Sequence, residues 1–118
     1  MIEGVKKNTD LDRLIFYYQD GGDFLKIYDK RDIDNFNIFI LDELERKIFL
    51  SCKNVKSFDK IQEELPEIED FKLAPILHSF ENNGIIFREG NYYLALPLSY
   101  SIINQKEIKA NQELFLKV

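Results

Sequence analysis

The chain has 118 residues, of which 45% are hydrophobic and 14% aromatic, and its formal net charge is −5. This length and composition predict one globular domain with its own core and exclude a disordered chain. The acidic balance argues against nonspecific binding to nucleic acids and against an anionic membrane surface, because both partners attract clustered Lys and Arg.

The sequence contains a single cysteine, Cys52, so neither an internal disulfide nor a cysteine-cluster metal site can form. A lone thiol of this kind is typical of a reducing compartment. There is no run of 18 apolar residues, and the N-terminal "MIEGVKKNTDLDR" lacks the apolar segment of a signal peptide. We therefore predict a cytoplasmic protein.

The N-terminal part predicts three strands. Leu14, Phe16 and Tyr18 alternate with Ile15 and Tyr17 before "DGGD" (residues 20–23), and the return strand alternates apolar positions with Lys26 and Tyr28. Residues 13–31 are therefore typical of a hairpin whose turn residues tolerate a positive φ. After a second turn, "FNIFIL" (residues 36–41) predicts a third strand.

A first helix is predicted directly after this strand. Asp42 is a suitable N-cap, and Glu45 three residues later completes a capping-box pattern. Leu44, Ile48 and Cys52 fall on one stripe, which we expect to face the core.

Two further helices follow. Ser57 is the expected cap of a short helix that Pro66 closes. A third helix is predicted over residues 70–83, or from near residue 73 if Pro75 lies in its first turn, and Gly84 occupies the C′ position. The side chains expected on its inner side are Phe71, Ala74, Leu77 and either Phe80 or His78.

"IIFREGNYYLAL" (residues 85–96) predicts a final hairpin. The order β-β-β-α-α-α-β-β predicts an α+β fold, a winged helix-turn-helix preceded by a three-stranded antiparallel sheet. We expect a domain over residues 1–98 and a C-terminal tail, residues 99–118, that packs on the wing.

The candidate reactive groups favour no catalytic site. Cys52 lies on an apolar stripe, where a free cysteine is usually a buried small hydrophobe. His78 is the only histidine and has no base or orienting partner nearby in the sequence. The carboxylates of Glu67, Glu69 and Asp70 lack the spacing of a calcium loop. We predict a chain without catalytic residues, metal or cofactor.

The helical segment "LDELERKIFLSCKNVKSFDKIQEEL" resembles peptide-recognition domains of enzymes that modify ribosomally made peptides, of which the pyrroloquinoline-quinone peptide chaperone is the best-known relative. "KIYDKR" (residues 26–31) and "FREGNYYLALPLS" (residues 87–99) are similar to the C-terminal region of cobalamin-binding radical S-adenosylmethionine peptide maturases, which are Fe-S oxidoreductases. Together these likenesses cover residues 23–99.

The resemblance implies a noncatalytic role for this chain. A radical S-adenosylmethionine enzyme holds its iron–sulfur cluster with three cysteines, and only Cys52 is present. The chain would then be an accessory or C-terminal domain of such an enzyme, or a stand-alone relative. The resembled chaperones bind leader peptides between the third strand and the third helix.

The third strand is the main candidate for binding. Phe36, Ile38 and Ile40 point to one side, and Phe39 and Leu41 point to the other. One interpretation is a central strand covered on both sides, and the other is an edge that accepts a peptide as an extra strand. The residues predicted to bind a peptide are Phe36, Ile38, Ile40, Lys72, Ile76 and Ser79.

Two alternatives remain open from the sequence. A winged helix commonly serves a DNA-binding transcriptional regulator, although the outward residues of this third helix are acidic on balance. A structural docking domain would use the apolar hairpin near residues 91–98. The expected partners are accordingly a precursor peptide or the catalytic domain of a larger enzyme, with a homodimer through the wing or tail as a further option.

Overall fold

A computed structural model describes residues 14–100 of the chain. The strands are β1 (Phe16–Asp20), β2 (Leu25–Asp29), β3 (Asn37–Leu41), β4 (Lys56–Ser57), β5 (Ile86–Glu89), β6 (Tyr92–Ala95) and β7 (Leu98–Ser99). The helices are α1 (Glu43–Ser51), α2 (Phe58–Glu64) and α3 (Asp70–Asn82). The predicted α+β class is confirmed.

Two sheets form within these residues. The first has the order β3-β2-β1-β7, with β1 and β2 antiparallel, β2 and β3 antiparallel, and β7 parallel to β1. The second has the order β4-β6-β5, with both pairs antiparallel. The short strands β4 and β7 were not predicted, because two residues carry no alternation and pair only when a partner strand is near.

The predicted domain boundary after residue 98 falls inside β7. Leu98 is the register partner of Tyr17 and Ser99 that of Tyr18, so both residues extend the first sheet. The predicted packing of the tail on the wing concerns mainly residues 101–118, which lie outside the described part of the chain.

The turn between β1 and β2 follows from its sequence. The Gly21 N–H donates to the Phe24 carbonyl at 2.8 Å, which leaves Gly22 and Asp23 as a two-residue loop. Gly22 has a φ of 93°, and glycine at the first central position is typical of a type II′ turn. The Asp20 carboxylate accepts the Gly22 N–H at 2.8 Å and fixes the loop.

The predicted caps of α1 and α2 and the predicted C′ glycine of α3 are confirmed, and α3 begins at Asp70 with Pro75 inside it rather than near residue 73. The Asp42 carboxylate accepts the Glu45 N–H at 2.8 Å, and the Glu45 carboxylate accepts the Asp42 N–H at 2.9 Å, so the capping box is complete. Ser57 caps α2 through the Lys60 N–H. At the end of α3, Gly84 has a φ of 69°, as the C′ position of a helix favours.

The core lies between the helices and one side of the first sheet. It contains Tyr18, Leu25, Ile27, Leu41, Ile48, Phe49, Cys52, Ile61, Ile68, Leu73, Leu77, Phe80, Ile85 and Ile86. The predicted inner stripe of α3 is right for Leu77 and, of the two alternatives, for Phe80 rather than His78, but it is wrong for Phe71 and Ala74, which are exposed. The stripe that contains Leu73 and Leu77 buries more apolar surface, and this difference sets the rotation of α3.

Within residues 14–100, no helix has the length and apolar character needed to cross a membrane.

Candidate functional site

Strand β3 lies at the edge of the four-stranded sheet. In the described residues it has β2 on one side and no strand on the other. An edge of this kind leaves a row of backbone N–H and C=O groups without a sheet partner. Which residues of β3 present these groups follows from the hydrogen-bond pattern of the first hairpin.

Two hydrogen bonds fix that pattern. The Lys30 N–H donates to the Ile15 carbonyl at 2.6 Å, and the Gly21 N–H donates to the Phe24 carbonyl at 2.8 Å. In an antiparallel pair, hydrogen-bonded and non-bonded residue pairs alternate. Between Phe24 and Lys30, the residues whose backbone groups hydrogen-bond to β1 are therefore Lys26 and Tyr28. The residues whose backbone groups point towards β3 are Leu25, Ile27 and Asp29.

The register of β2 and β3 transfers this alternation to the edge. The partners of the three β2 residues that face β3 are Leu41, Phe39 and Asn37. The remaining residues, Ile38 and Ile40, must direct their backbone N–H and C=O groups away from β2. Within residues 14–100, the outward hydrogen-bonding groups of the edge thus belong to two of the residues predicted to bind a peptide.

The side chains of this edge are also exposed. Ile38 is 59% exposed and Ile40 is 65% exposed, and Phe36 just before the strand is 60% exposed. Phe39 is half-buried and Leu41 is buried, on the side that faces the helices. Within residues 14–100, β3 is therefore covered only on its helix-facing side.

Ile38 and Ile40 share their side of the sheet with Tyr17, Tyr28 and Leu98, and we call this side the outer face. The Tyr17 and Tyr28 rings stack with centroids 4.8 Å apart. Next to the open edge the outer face thus combines apolar and aromatic side chains with Lys26, the cross-strand partner of Ile40.

Lys30 connects this face to the start of β3. Its Nζ lies 5.6 Å from the centroid of the Tyr17 ring and 5.9 Å from that of the Phe36 ring. A cation over two aromatic rings is held at a modest energy, about 0.5–1 kcal/mol at an exposed site. Phe36 is thereby placed on the same side of the sheet as Tyr17.

The predicted helix residues form a separate group. Lys72, Ile76 and Ser79 follow one another along α3 beside its buried stripe; Lys72 and Ser79 are exposed, and Ile76 is half-buried against the core. Since α3 packs on the side of the sheet opposite to Ile38 and Ile40, the structure does not bring the strand and helix residues to one surface.

Phe39 lies on the helix-facing side of β3, as Leu41 does. Phe39 and Ile76 are both half-buried and pack against the same core cluster. Phe39 was predicted to point opposite to Ile38 but was not among the residues predicted to bind a peptide. Strand alternation alone contained the signal, because a side chain opposite the exposed isoleucines had to face the helices.

A clamp at the end of β2 was also missed. Arg31 donates from Nε and Nη2 to the Asp29 carboxylate at 2.9 and 2.7 Å, and its Nη1 donates to the Gly84 carbonyl at 3.0 Å. Its guanidinium lies 3.6 Å from the centroid of the Phe16 ring. Arg31 therefore joins the end of α3 to the sheet where the connection to β3 begins.

This pair is electrostatically coupled. The hydrogen bonds from Arg31 hold the pKa of Asp29 below its ordinary value of 3.8, although burial of the carboxylate acts in the opposite direction. The same hydrogen bonds raise the pKa of Arg31. The only sequence signal was the short spacing of the two charges in "YDKR", which does not reveal contact with a distant helix end.

A second apolar surface lies on the β4-β6-β5 sheet. An open pocket of about 630 Å³ is lined by Val55, Phe87, Tyr92 and Leu94, among other residues. Phe87 and Leu94 are register partners and project to the same side, away from the buried Ile86. We call this surface the wing pocket.

The remaining candidate groups show no reactive arrangement. Cys52 is buried, and burial raises the pKa of its thiol to about 12. His78 is exposed. Among residues 14–100, no group of three or more His, Cys, Asp or Glu side chains is placed to hold a metal ion.

No family model matches the chain, and no curated protein or solved structure matches it either. The case for a function therefore depends on the open edge of β3, the outer face and the wing pocket.

Proposed function

We propose that this chain is a noncatalytic peptide-binding domain that accepts an extended segment of another polypeptide along β3. The observation that supports this proposal is the combination found at Ile38 and Ile40. Both residues have outward backbone groups and exposed apolar side chains. A peptide added as a strand gains main-chain hydrogen bonds there, and its alternate side chains gain apolar contacts.

The peptide would contact both sides of the sheet. Its side chains on one side would pack beside Ile38, Ile40 and Phe36. Those on the other side would meet Phe39, on the helix-facing side of β3.

The order of α2, α3 and the β5–β6 hairpin, with β4 added to that hairpin, supports the proposal of a winged helix. Together with the resemblance to radical S-adenosylmethionine peptide maturases, it supports an accessory or C-terminal domain in such a system. Catalysis would belong to a partner domain that supplies the cluster cysteines.

Charge favours a polypeptide over DNA. Arg88 on the hairpin donates to the Glu81 carboxylate at 2.9 Å, so its charge is already paired. Asp70 in the first turn of α3 and its N-cap Glu69 are also exposed, and Lys72 is an exposed lysine on the same helix. A DNA-binding winged helix needs unpaired cations at these places to neutralise phosphates.

The wing pocket favours a second candidate function, docking to another protein. Phe87, Tyr92 and Val55 are exposed apolar side chains on one pocket, which is typical of an interaction surface. Docking there would leave the β3 edge free, so both functions are compatible with one molecule.

The test uses a displayed library of random dodecapeptides. Peptides are selected on the wild-type chain and then screened against Ile40→Pro. Proline removes the outward N–H of residue 40 and leaves the hydrogen bonds between β2 and β3 intact, as an edge strand tolerates. We expect a class of peptides that binds the wild type and loses at least about tenfold in affinity on Ile40→Pro.

The matched control is Ile40→Ala, which shortens the side chain but keeps the N–H. It should weaken binding less than Ile40→Pro if main-chain pairing dominates. A selection that yields no peptide sensitive to Ile40→Pro, with the variant shown to be folded by circular dichroism, would refute edge binding.

A further inference from the structure

We propose that the β3 edge selects an extended peptide with Lys or Arg on both sides of a short apolar core, and that it excludes a second copy of this chain. This inference depends on the proposed edge binding and names the chemistry of the partner. It follows from the charges at the two ends of β3.

The first end is acidic. Asp32 and Asp34 lie in the turn between β2 and β3, and both are exposed. The Asp32 carboxylate accepts the Asp34 N–H at 3.0 Å, which orders the turn and leaves both negative charges in place. Neither carboxylate forms an ion pair with another residue in the range 14–100.

The second end is acidic as well. Asp42 and Glu43 are exposed directly after β3, and the capping box keeps the Asp42 carboxylate at the first turn of α1. The nearest arginine on that helix, Arg46, forms a bidentate pair with Asp20 at 2.6 and 2.9 Å. Its charge is therefore already matched.

The cations near the edge belong to the outer face. Lys26 is the cross-strand partner of Ile40 on β2, and Lys30 lies over the Tyr17 and Phe36 rings. Lys26 lies one strand further into the sheet, and Lys30 lies just after β2 with its ammonium held over the rings on the outer face. A partner strand beside β3 has the carboxylates at the two ends of its own path, whereas β3 itself separates it from Lys26.

A second copy of the chain fits the hydrogen bonds but not the charges. Two β3 strands could pair antiparallel about a two-fold axis, with Ile38 of one copy opposite Ile40 of the other. That register brings the Asp32–Asp34 end of each copy beside the Asp42–Glu43 end of the other. Like charges placed together at an edge disfavour such pairing, and native sheets commonly protect their edges in this way.

A peptide with basic ends reverses the sign of this interaction. Five residues of β3 span roughly 17 Å, so cations just outside a core of about five residues reach both acidic ends. Exposed ion pairs are individually weak, and each contributes roughly a factor of 1.4 to 5 in affinity. The ion pairs at the two ends of β3 together select basic peptides, while the main-chain hydrogen bonds and apolar contacts supply most of the affinity.

The experiment uses one of the peptides that lose affinity on Ile40→Pro. It is made in three forms, in which the residues directly outside both ends of its apolar core are Lys, Gln or Glu. We expect the Lys form to bind about tenfold more tightly than the Glu form at low salt, with the Gln form between them. The spread should fall to about twofold near 0.5 M salt, because the groups are exposed and screened.

The double variant Asp34→Asn/Glu43→Gln should reduce the spread between the Lys and Glu forms at low salt. The control is Asp59→Asn/Glu89→Gln, which removes the same net charge from exposed sites elsewhere and should leave the spread unchanged. Equal binding of all three peptides, tighter binding of the Glu form, or an unchanged spread in the edge variant would overturn the charge inference while edge binding stands.

Sedimentation measures the second half of the inference. The wild-type chain should not form a dimer through β3, so Ile40→Pro should leave its state of association unchanged. A dimer that disappears in Ile40→Pro would overturn the exclusion of a second copy. An absence of any peptide sensitive to Ile40→Pro would instead defeat the proposed function itself.

Discussion

Replacing Arg31 with alanine should destabilise the fold far more than replacing Arg46, although both arginines form bidentate pairs with an aspartate. The Arg31–Asp29 pair has an Nη2–Oδ2 distance of 2.7 Å, and the Arg46–Asp20 pair has an Nε–Oδ1 distance of 2.6 Å. The two ion pairs therefore have similar geometry, and they differ in burial and in the additional contacts of the arginine.

The expected magnitude follows from burial and from the additional contacts. Asp29 is only 8% exposed, so Arg31→Ala leaves a nearly buried carboxylate without its partner. Breaking a fully buried pair costs about 3–5 kcal/mol, and exposed pairs contribute about 0.2–1 kcal/mol. Arg31 is partly exposed but also bonds the Gly84 carbonyl and stacks on Phe16, so we expect a loss of about 2–3 kcal/mol.

Urea unfolding followed by circular dichroism measures both variants, and Arg46→Ala should cost about 0.5 kcal/mol because Asp20 stays hydrated. A double-mutant cycle with Asp29→Asn separates the pair from the contacts to the helix end and to Phe16. Equal losses for Arg31→Ala and Arg46→Ala, or a coupling energy between Arg31 and Asp29 below about 0.5 kcal/mol, would refute the clamp.

Three further predictions concern the same core and its borders. The pKa of Asp29 is lowered in the folded state, so its carboxylate contributes to the free energy of unfolding above the ordinary value of 3.8, and this contribution is lost as the pH falls below it. In urea titrations, the difference in stability between the wild type and Arg31→Ala should therefore narrow as the pH is lowered from about 6 to about 2. A constant difference would contradict the pairing. The Cys52 thiol, with a pKa of about 12, should stay unreactive towards a disulfide reagent near pH 8 until urea unfolds the chain, whereas rapid reaction of the native protein would show that it is not buried. Gly84→Ala should lower the free energy of unfolding by about 2 kcal/mol and Gly90→Ala by about 1 kcal/mol. Both glycines have a positive φ, but only a Cβ at residue 84 meets the Arg31 guanidinium, at 3.0 Å. Equal losses in thermal unfolding would show that this contact is relieved without cost.

The sequence alone determined the features that depend on near neighbours in the chain. The capping box of Asp42 and Glu45 and the C′ position of Gly84 could be predicted because each satisfies backbone groups a few residues away. The alternation of residues 36–41 likewise determined that Ile38 and Ile40 share a side and that Phe39 opposes them.

Only the tertiary structure decided which of those sides is covered and which strand lies at the edge. Alternation separates two sides but does not say which one meets the helices, and the outward direction of the Ile38 and Ile40 backbone groups depends on hydrogen bonds made by β1 and β2. The contact of Arg31 with Gly84 joins residues more than fifty positions apart. Such contacts have no local signature, because they arise from the packing of whole elements.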